Sequence, residues 1–151
     1  MDQKKIYASL SSTDTELVGE ELAKSIINDS ALPRFIALYG DLGVGKTAFT
    51  RGFTRVFSPS ARVKSPTFSL VNEYKGAICS VFHFDMYRIE SDDDLYSIGF
   101  YDYLDRSGIC LTEWSENIEY ALPDEYLRVE IIKDDPDNVD SRRIEISVIN
   151  A

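Results

Sequence analysis

The stretch FIALYGDLGVGKT, Phe35–Thr47, decides the fold. Its first part, Phe35-Ile36-Ala37-Leu38-Tyr39, is a short unbroken apolar run, the pattern of a strand buried on both faces. Its second part, Gly40–Thr47, fits G-x-x-x-x-G-K-[ST] without a mismatch. The residues that follow, TAFTRGFTRVF, set Ala48, Phe49, Phe53, Val56 and Phe57 as the apolar positions of a helix. A glycine-rich loop between strand and helix is suited to phosphate. The glycines let the backbone point successive N–H groups inward, and the helix N-terminus adds partial positive charge. Gly40, Asp41, Leu42, Gly43, Val44 and Gly45 would form the cradle. Lys46 would bring a full charge to the β- and γ-phosphates, and Thr47 would offer its hydroxyl to Mg²⁺.

Upstream, residues 13–28 read as an amphipathic helix. Thr13 and Glu16 stand at capping-box spacing, and Val18, Leu22 and Ile26 make a stripe widened by Ala23 and Ile27. Downstream, Ser65-Pro66 breaks the chain, and Phe68 to Tyr74 and Ile78 to Phe84 read as strands. SDDDLYSIGFYDYLDRSG reads as one or two short helices, and Ile109–Thr112 as a buried strand ending at Glu113-Trp114. Near the end, Leu127, Val129 and Ile131 alternate with polar residues, as do Ile144, Ile146 and Val148. That alternation predicts two half-exposed strands paired antiparallel, joined by a solvated loop, KDDPDNVDS. The expected architecture is α/β: a P-loop NTPase-like mixed sheet flanked by helices, with antiparallel strands toward the C-terminus. The length of 151 residues suits a single domain over 1–151.

A net charge of −10 argues against the broad basic surface of a protein that binds DNA or RNA by itself, and against electrostatic attachment to a membrane surface. The acidity fits either plain solubility or a protein whose basic partner makes any nucleic-acid contact. The N-terminus MDQKKIYASL lacks the apolar core of a signal peptide, and no run is long enough for a membrane span. The two cysteines, Cys79 and Cys110, follow no metal spacing and are expected as reduced, buried thiols of a cytoplasmic protein.

A P-loop site also needs a carboxylate for its metal at the end of a neighbouring strand. Asp85 ends VFHFD and Glu113 ends ICLTE, so each is placed at a strand's C-terminal edge. Either suits the metal. Ser65-Pro66-Thr67 fits either a switch-like loop, with Thr67 reaching a γ-phosphate or its metal, or a plain turn. The single histidine, His83, is expected to be packed or hydrogen-bonded. Trp114 fits a core position or a pocket wall. Asp85 and Arg88 could form a local ion pair, or Arg88 could approach the phosphates. Among P-loop classes, a GTPase is disfavoured because N-K-x-D is missing, and D-x-x-G at Asp105–Gly108 precedes a strand rather than following one. A small-metabolite kinase remains the alternative, although SDDDLY would be an odd lid. A regulatory ATPase needs only nucleotide, switch and partner surface.

GDLGVGKTAFTRGF, SPTFSLVNEY, HFDMYRI and LTEWSEN, in that order, resemble the bacterial TsaE (YjeE) family. The resemblance covers about Thr15 to Glu116. It implies an ATP- or ADP-binding, Mg²⁺-dependent, weakly hydrolysing ATPase of the cytoplasm. It would act with the proteins TsaB and TsaD, the latter transferring a threonylcarbamoyl group to the adenosine beside the anticodon of tRNA. On this resemblance Lys46 binds phosphate and Thr47 ligates Mg²⁺. Glu113 is the acidic metal ligand or its close helper, and Asp85 positions water or metal. Thr67 lies in the switch-like SPTF loop, Thr15 lies near the nucleotide, and Trp114 lines the site. Where the family often has a glutamate in a G-L-x-E-Y-L-like segment, this chain has Asp102, which is given no role.

Overall fold

The computed structural model describes residues 4–41, 43–66 and 69–150. Among them one sheet has seven strands: β1 (Lys5–Ser9), β2 (Phe35–Tyr39), β3 (Val71–Tyr74), β4 (Ser80–Asp85), β5 (Gly108–Glu113), β6 (Glu125–Lys133) and β7 (Arg142–Asn150), in the order β1-β7-β6-β2-β5-β4-β3. The centre, β6-β2-β5-β4, is parallel. The margins, β7 on β6, β1 on β7 and β3 on β4, are antiparallel. The mixed α/β architecture is as the sequence implies.

Helices α1 (Ser12–Asn28) and α2 (Lys46–Phe57) cover one face, where Leu22, Ile26, Phe49 and Phe53 meet Ile36, Leu38, Leu111 and Val129. The two helices touch backbone to backbone. A Cβ on Gly52 would stand 1.9 Å from the Glu16 carbonyl oxygen, so this position tolerates no side chain. Glu16 adds charge to that seam, pairing with Arg55 at 2.9 Å and Arg51 at 3.5 Å. The other face is shorter. Helices α3 (Asp92–Ser97) and α4 (Phe100–Leu104) and the 3-10 segment Ser115–Ala121 lie over β2, β4 and β5, with Phe100 edge-on to Phe35 and Phe84.

The two-sided cover explains why β2 is buried at every position. Strand β6 alternates instead, burying Leu127, Val129 and Ile131 and leaving Arg128 and Glu130 on the uncovered side.

Several expectations need correction. The first helix is capped two residues earlier than the Thr13–Glu16 spacing suggests. The Ser11 side chain accepts from the Asp14 amide, and Asp14 Oδ2 accepts from the Leu10 amide. Strand β3 begins at Val71 rather than Phe68, after a left-handed Leu70; Phe68 itself lies outside the described residues. Strand β4 starts at Ser80 rather than Ile78. Strand β1 was not anticipated. Of the cysteines, both unpaired, only Cys110 is buried, its thiol pushed up to about 12 by desolvation; Cys79 is half-buried.

Candidate functional site

The C-terminal ends of β2, β4 and β5 open onto a cavity of about 680 Å³. The loop from β2 to α2 forms one wall. Gly40, Gly43 and Gly45 have φ of 148°, 76° and 118°, values that side chains with a Cβ rarely adopt. At Gly40 a Cβ would also press to 2.8 Å from the Ile131 carbonyl oxygen of β6. Helix α2 starts on Gly45 with no side-chain cap, so its first amides are left for a ligand. Lys46 is buried. Its Nζ donates to the Gly40 carbonyl at 2.8 Å and lies 4.5 Å from the centre of the Trp114 ring.

The opposite wall holds the acids. Register pairs Asp85 of β4 with Glu113 of β5, so both strands end side by side. Alternation along β4 puts Val81, His83 and Asp85 on one face, and Val81 packs in the core beneath α1 and α2. Glu113 projects to the same side as Leu111, again under α2. Both carboxylates are nearly buried and both line the cavity. Asp85 Oδ1 accepts from the Tyr87 amide at 2.9 Å. His83 Nε2 lies 2.6 Å from Glu113 Oε2. Among the described residues no donor reaches the second oxygen of either acid, and Asp85 makes no ion pair with Arg88.

Trp114 adopts a left-handed φ of 57° directly after Glu113. That turn lays its ring over Lys46 and against Tyr87, with ring centres 5.0 Å apart. It is a wall of the cavity, one of the two roles its sequence context fits.

The structure brings Gly43, Gly45, Lys46, Thr47, Asp85, Glu113 and Trp114 onto one cavity, together with Ser65. Thr15 lies elsewhere. It is buried behind the loop, its hydroxyl 2.7 Å from Ser9 Oγ, and lines a smaller space of about 100 Å³ with Val44 and Gly45. The two spaces share Ser12, Gly43, Gly45 and Ala48. Asp41 is exposed and holds the loop through its carbonyl, which accepts from the Val44 amide. Leu42 and Thr67 lie outside the described residues.

Three features escape the sequence pattern. Arg51, one turn beyond Thr47 on α2, and Tyr87, just past the end of β4, also line the cavity. Helical and strand-exit spacing would have found them. Arg142, at the start of β7, is different: its Nε donates to the Val44 carbonyl at 2.8 Å while Nη1 donates to the carbonyls of Val139 and Ser141. The C-terminal hairpin thus grips the phosphate loop across 98 residues of sequence.

The donor set fits a hard cation. Among the described residues there is no cluster of three or more Asp, Glu, His or Cys able to hold a metal alone. One hydroxyl and two carboxylates beside a phosphate cradle are what Mg²⁺ uses, since it keeps waters and shares phosphate oxygens.

Fold and site together define a P-loop NTPase-like α/β protein. A family model described as "Threonylcarbamoyl adenosine biosynthesis protein TsaE" matches residues 9–144. The chain belongs to the TsaE family. It is 41% identical over 111 residues to "tRNA threonylcarbamoyladenosine biosynthesis protein TsaE" of Haemophilus influenzae, covering 74% of this chain and 68% of that protein. It is 40% identical over 96 residues to the protein of that name from Bacillus subtilis, covering 64% of this chain and 60% of that one. The chain thus spans about two-thirds of the length of these relatives. The crystal structure of "Bacillus subtilus YdiB" superposes with a TM-score of 0.72 at 28% identity, covering 100% of this chain and 88% of that one. No helix among the described residues is long and apolar enough to cross a membrane.

Proposed function

We propose that this chain binds ATP with Mg²⁺ in the cavity beside Gly40–Thr47 and hydrolyses it slowly. It would do so in the cytoplasm as the ATPase subunit of an assembly with TsaB and TsaD. That assembly transfers a threonylcarbamoyl group to the adenosine beside the anticodon of tRNA. The observation that carries the reading is the convergence of Lys46, Thr47, Asp85 and Glu113 on one cavity in a TsaE-family chain.

The loop amides and Lys46 bind the phosphates and oppose the charge that builds on them in the transition state. In this structure Lys46 Nζ donates to the Gly40 carbonyl; phosphate oxygens would take that acceptor's place. Thr47, Asp85 and Glu113 would hold Mg²⁺, which would supply neutralisation of the phosphate charge. A water oriented by one of the two carboxylates attacks the γ-phosphorus in line, and the bond from that phosphorus to the bridging oxygen breaks. ADP and inorganic phosphate leave, and the water's proton passes to solvent through the carboxylate. Positioning and charge do most of the work, so a partner that closes the site would raise the rate.

Phosphate release from ATP and GTP tests the reading, first with the protein alone and then with TsaB, TsaD and tRNA. Slow turnover of ATP that rises with the partners is expected. Turnover indifferent to them but raised by a small-metabolite acceptor, with a phosphorylated product, would replace this reading with a kinase.

A further inference from the structure

His83 lies one strand step below the acids, and neither the loop motif nor the hydrolysis outlined above uses it. It is fully buried at 0% exposure on the face of β4 that carries Asp85. Its Nε2 stands 2.6 Å from Glu113 Oε2, across the β4–β5 pair and diagonal to the register His83↔Leu111. A carboxylate oxygen accepts, so the ring tautomer that makes this bond carries its proton on Nε2. The other ring nitrogen, Nδ1, is buried and has no hydrogen-bond partner among the described residues. The Tyr74 ring, 6.3 Å away and tilted by 34°, packs beside the imidazole instead. A histidine whose one satisfied nitrogen is spent on a single carboxylate oxygen is there for that oxygen.

We infer that His83 is a positioning residue for the nucleotide site: it orients Glu113 by tying Oε2, which leaves Oε1 as the oxygen offered to the cavity. The two acids are thereby distinguished. Asp85 is oriented by a backbone amide, from Tyr87, which no side-chain change short of proline removes. Glu113 is oriented by a side chain, and its rotamer depends on it. A glutamate has one more rotatable bond than an aspartate, so freeing it costs alignment rather than charge.

The inference rests on the nucleotide-site reading and is tested by means that separate the two. His83 is the single histidine in the sequence, so a tag-free protein labelled with ¹⁵N-histidine shows one imidazole. A two-bond ¹H–¹⁵N spectrum is expected to show Nε2 protonated, and its signal should move in Glu113→Gln. A bare Nε2, or a spectrum indifferent to Glu113→Gln, would overturn the proposal even if ATP is hydrolysed.

The second arm is kinetic. His83→Leu removes the donor, and kcat is expected to fall about 10- to 100-fold, the usual cost of losing the partner of a metal-site ligand, with the affinity for a fluorescent ADP analogue changed less than about threefold. His83→Gln keeps a donor near the Nε2 position and should recover most of kcat. In the Glu113→Gln background His83→Leu should cost nothing further. Equal losses in both backgrounds, or a kcat loss matched by weaker ADP binding and a lower Tm, would make His83 a core residue only. A wild-type chain that binds the ADP analogue but releases no phosphate from ATP would sink the hydrolysis, and with it the positioning role. The imidazole spectrum would still report whether Nε2 is committed to Glu113.

Discussion

The centre of the sheet and its C-terminal hairpin are built on opposite terms. Strands β2, β4 and β5 are parallel, covered on both faces, and end in the loop and the acids of the site. Strands β6 and β7 are antiparallel to each other and alternate between core and solvent. The centre carries the candidate site because parallel strands bring successive C-terminal ends to one edge, where the following loops share a crevice. The hairpin contributes by reaching rather than by ending there: its turn brings Arg142 under the Val44 carbonyl, and β6 pairs with β2 so closely that the Ile131 carbonyl crowds Gly40. The contrast separates the region that lines the candidate site from one that holds it in shape.

Four substitutions would break or sharpen this division. Lys46→Ala should strike the centre alone. Loss of the only loop cation is expected to lower phosphate release by about 100-fold or more, with little change in Tm, measured by a coupled phosphate assay and thermal unfolding. Retained activity would remove the loop from the site. Gly52→Ala drives a Cβ into the Glu16 carbonyl and should part α2 from α1, at a cost of about 3 kcal/mol by denaturant unfolding. A smaller cost would mean that the seam under the site can spread.

Arg142→Ala tests the hairpin's reach. Three carbonyls lose a charged donor, which corresponds to about 1.5 kcal/mol, or about tenfold in nucleotide affinity if the loop is what relaxes. Titration with a fluorescent ADP analogue reads it. Arg142→Lys should not restore binding, because an ammonium cannot span the fork. Unchanged affinity would reduce the clamp to surface packing. The smallest effect belongs to the hairpin's open side. Arg128 pairs with Glu130 at 3.1 Å and stacks over Tyr39 at 4.3 Å, both partly in solvent. Arg128→Ala should cost under about 1 kcal/mol and leave turnover alone. A larger loss of turnover would show that this side is not merely a solvated face.

Much of the site was legible because its signals are local. The loop pattern, the unbroken run at Phe35–Tyr39 and an acid closing each of two strand-like runs each lie within a few residues of sequence. The first helix was legible too, but its cap was not, since Thr13 and Ser11 both offer hydroxyls with a carboxylate three residues on. Backbone direction at Ser11 decides between them. Strand β1 was hidden because its burial is slight: Ile6 is 62% exposed, and only pairing with β7 makes the segment a strand. Thr15 is buried and lines the smaller space rather than the larger cavity, since the loop passes between the two.

By itself the sequence determined that a glycine-rich loop joins a buried strand to a helix, that two acids close neighbouring strands, and that the last two strands face water on one side. These follow from residue type and period, which act within one element. The tertiary structure alone decided that His83 ties Glu113 and not Asp85, that Trp114 folds back over Lys46, and that Arg142 holds the loop from far along the chain. Each depends on which distant groups arrive within contact of one another, a distance set by the packing of the whole sheet and by no segment of it.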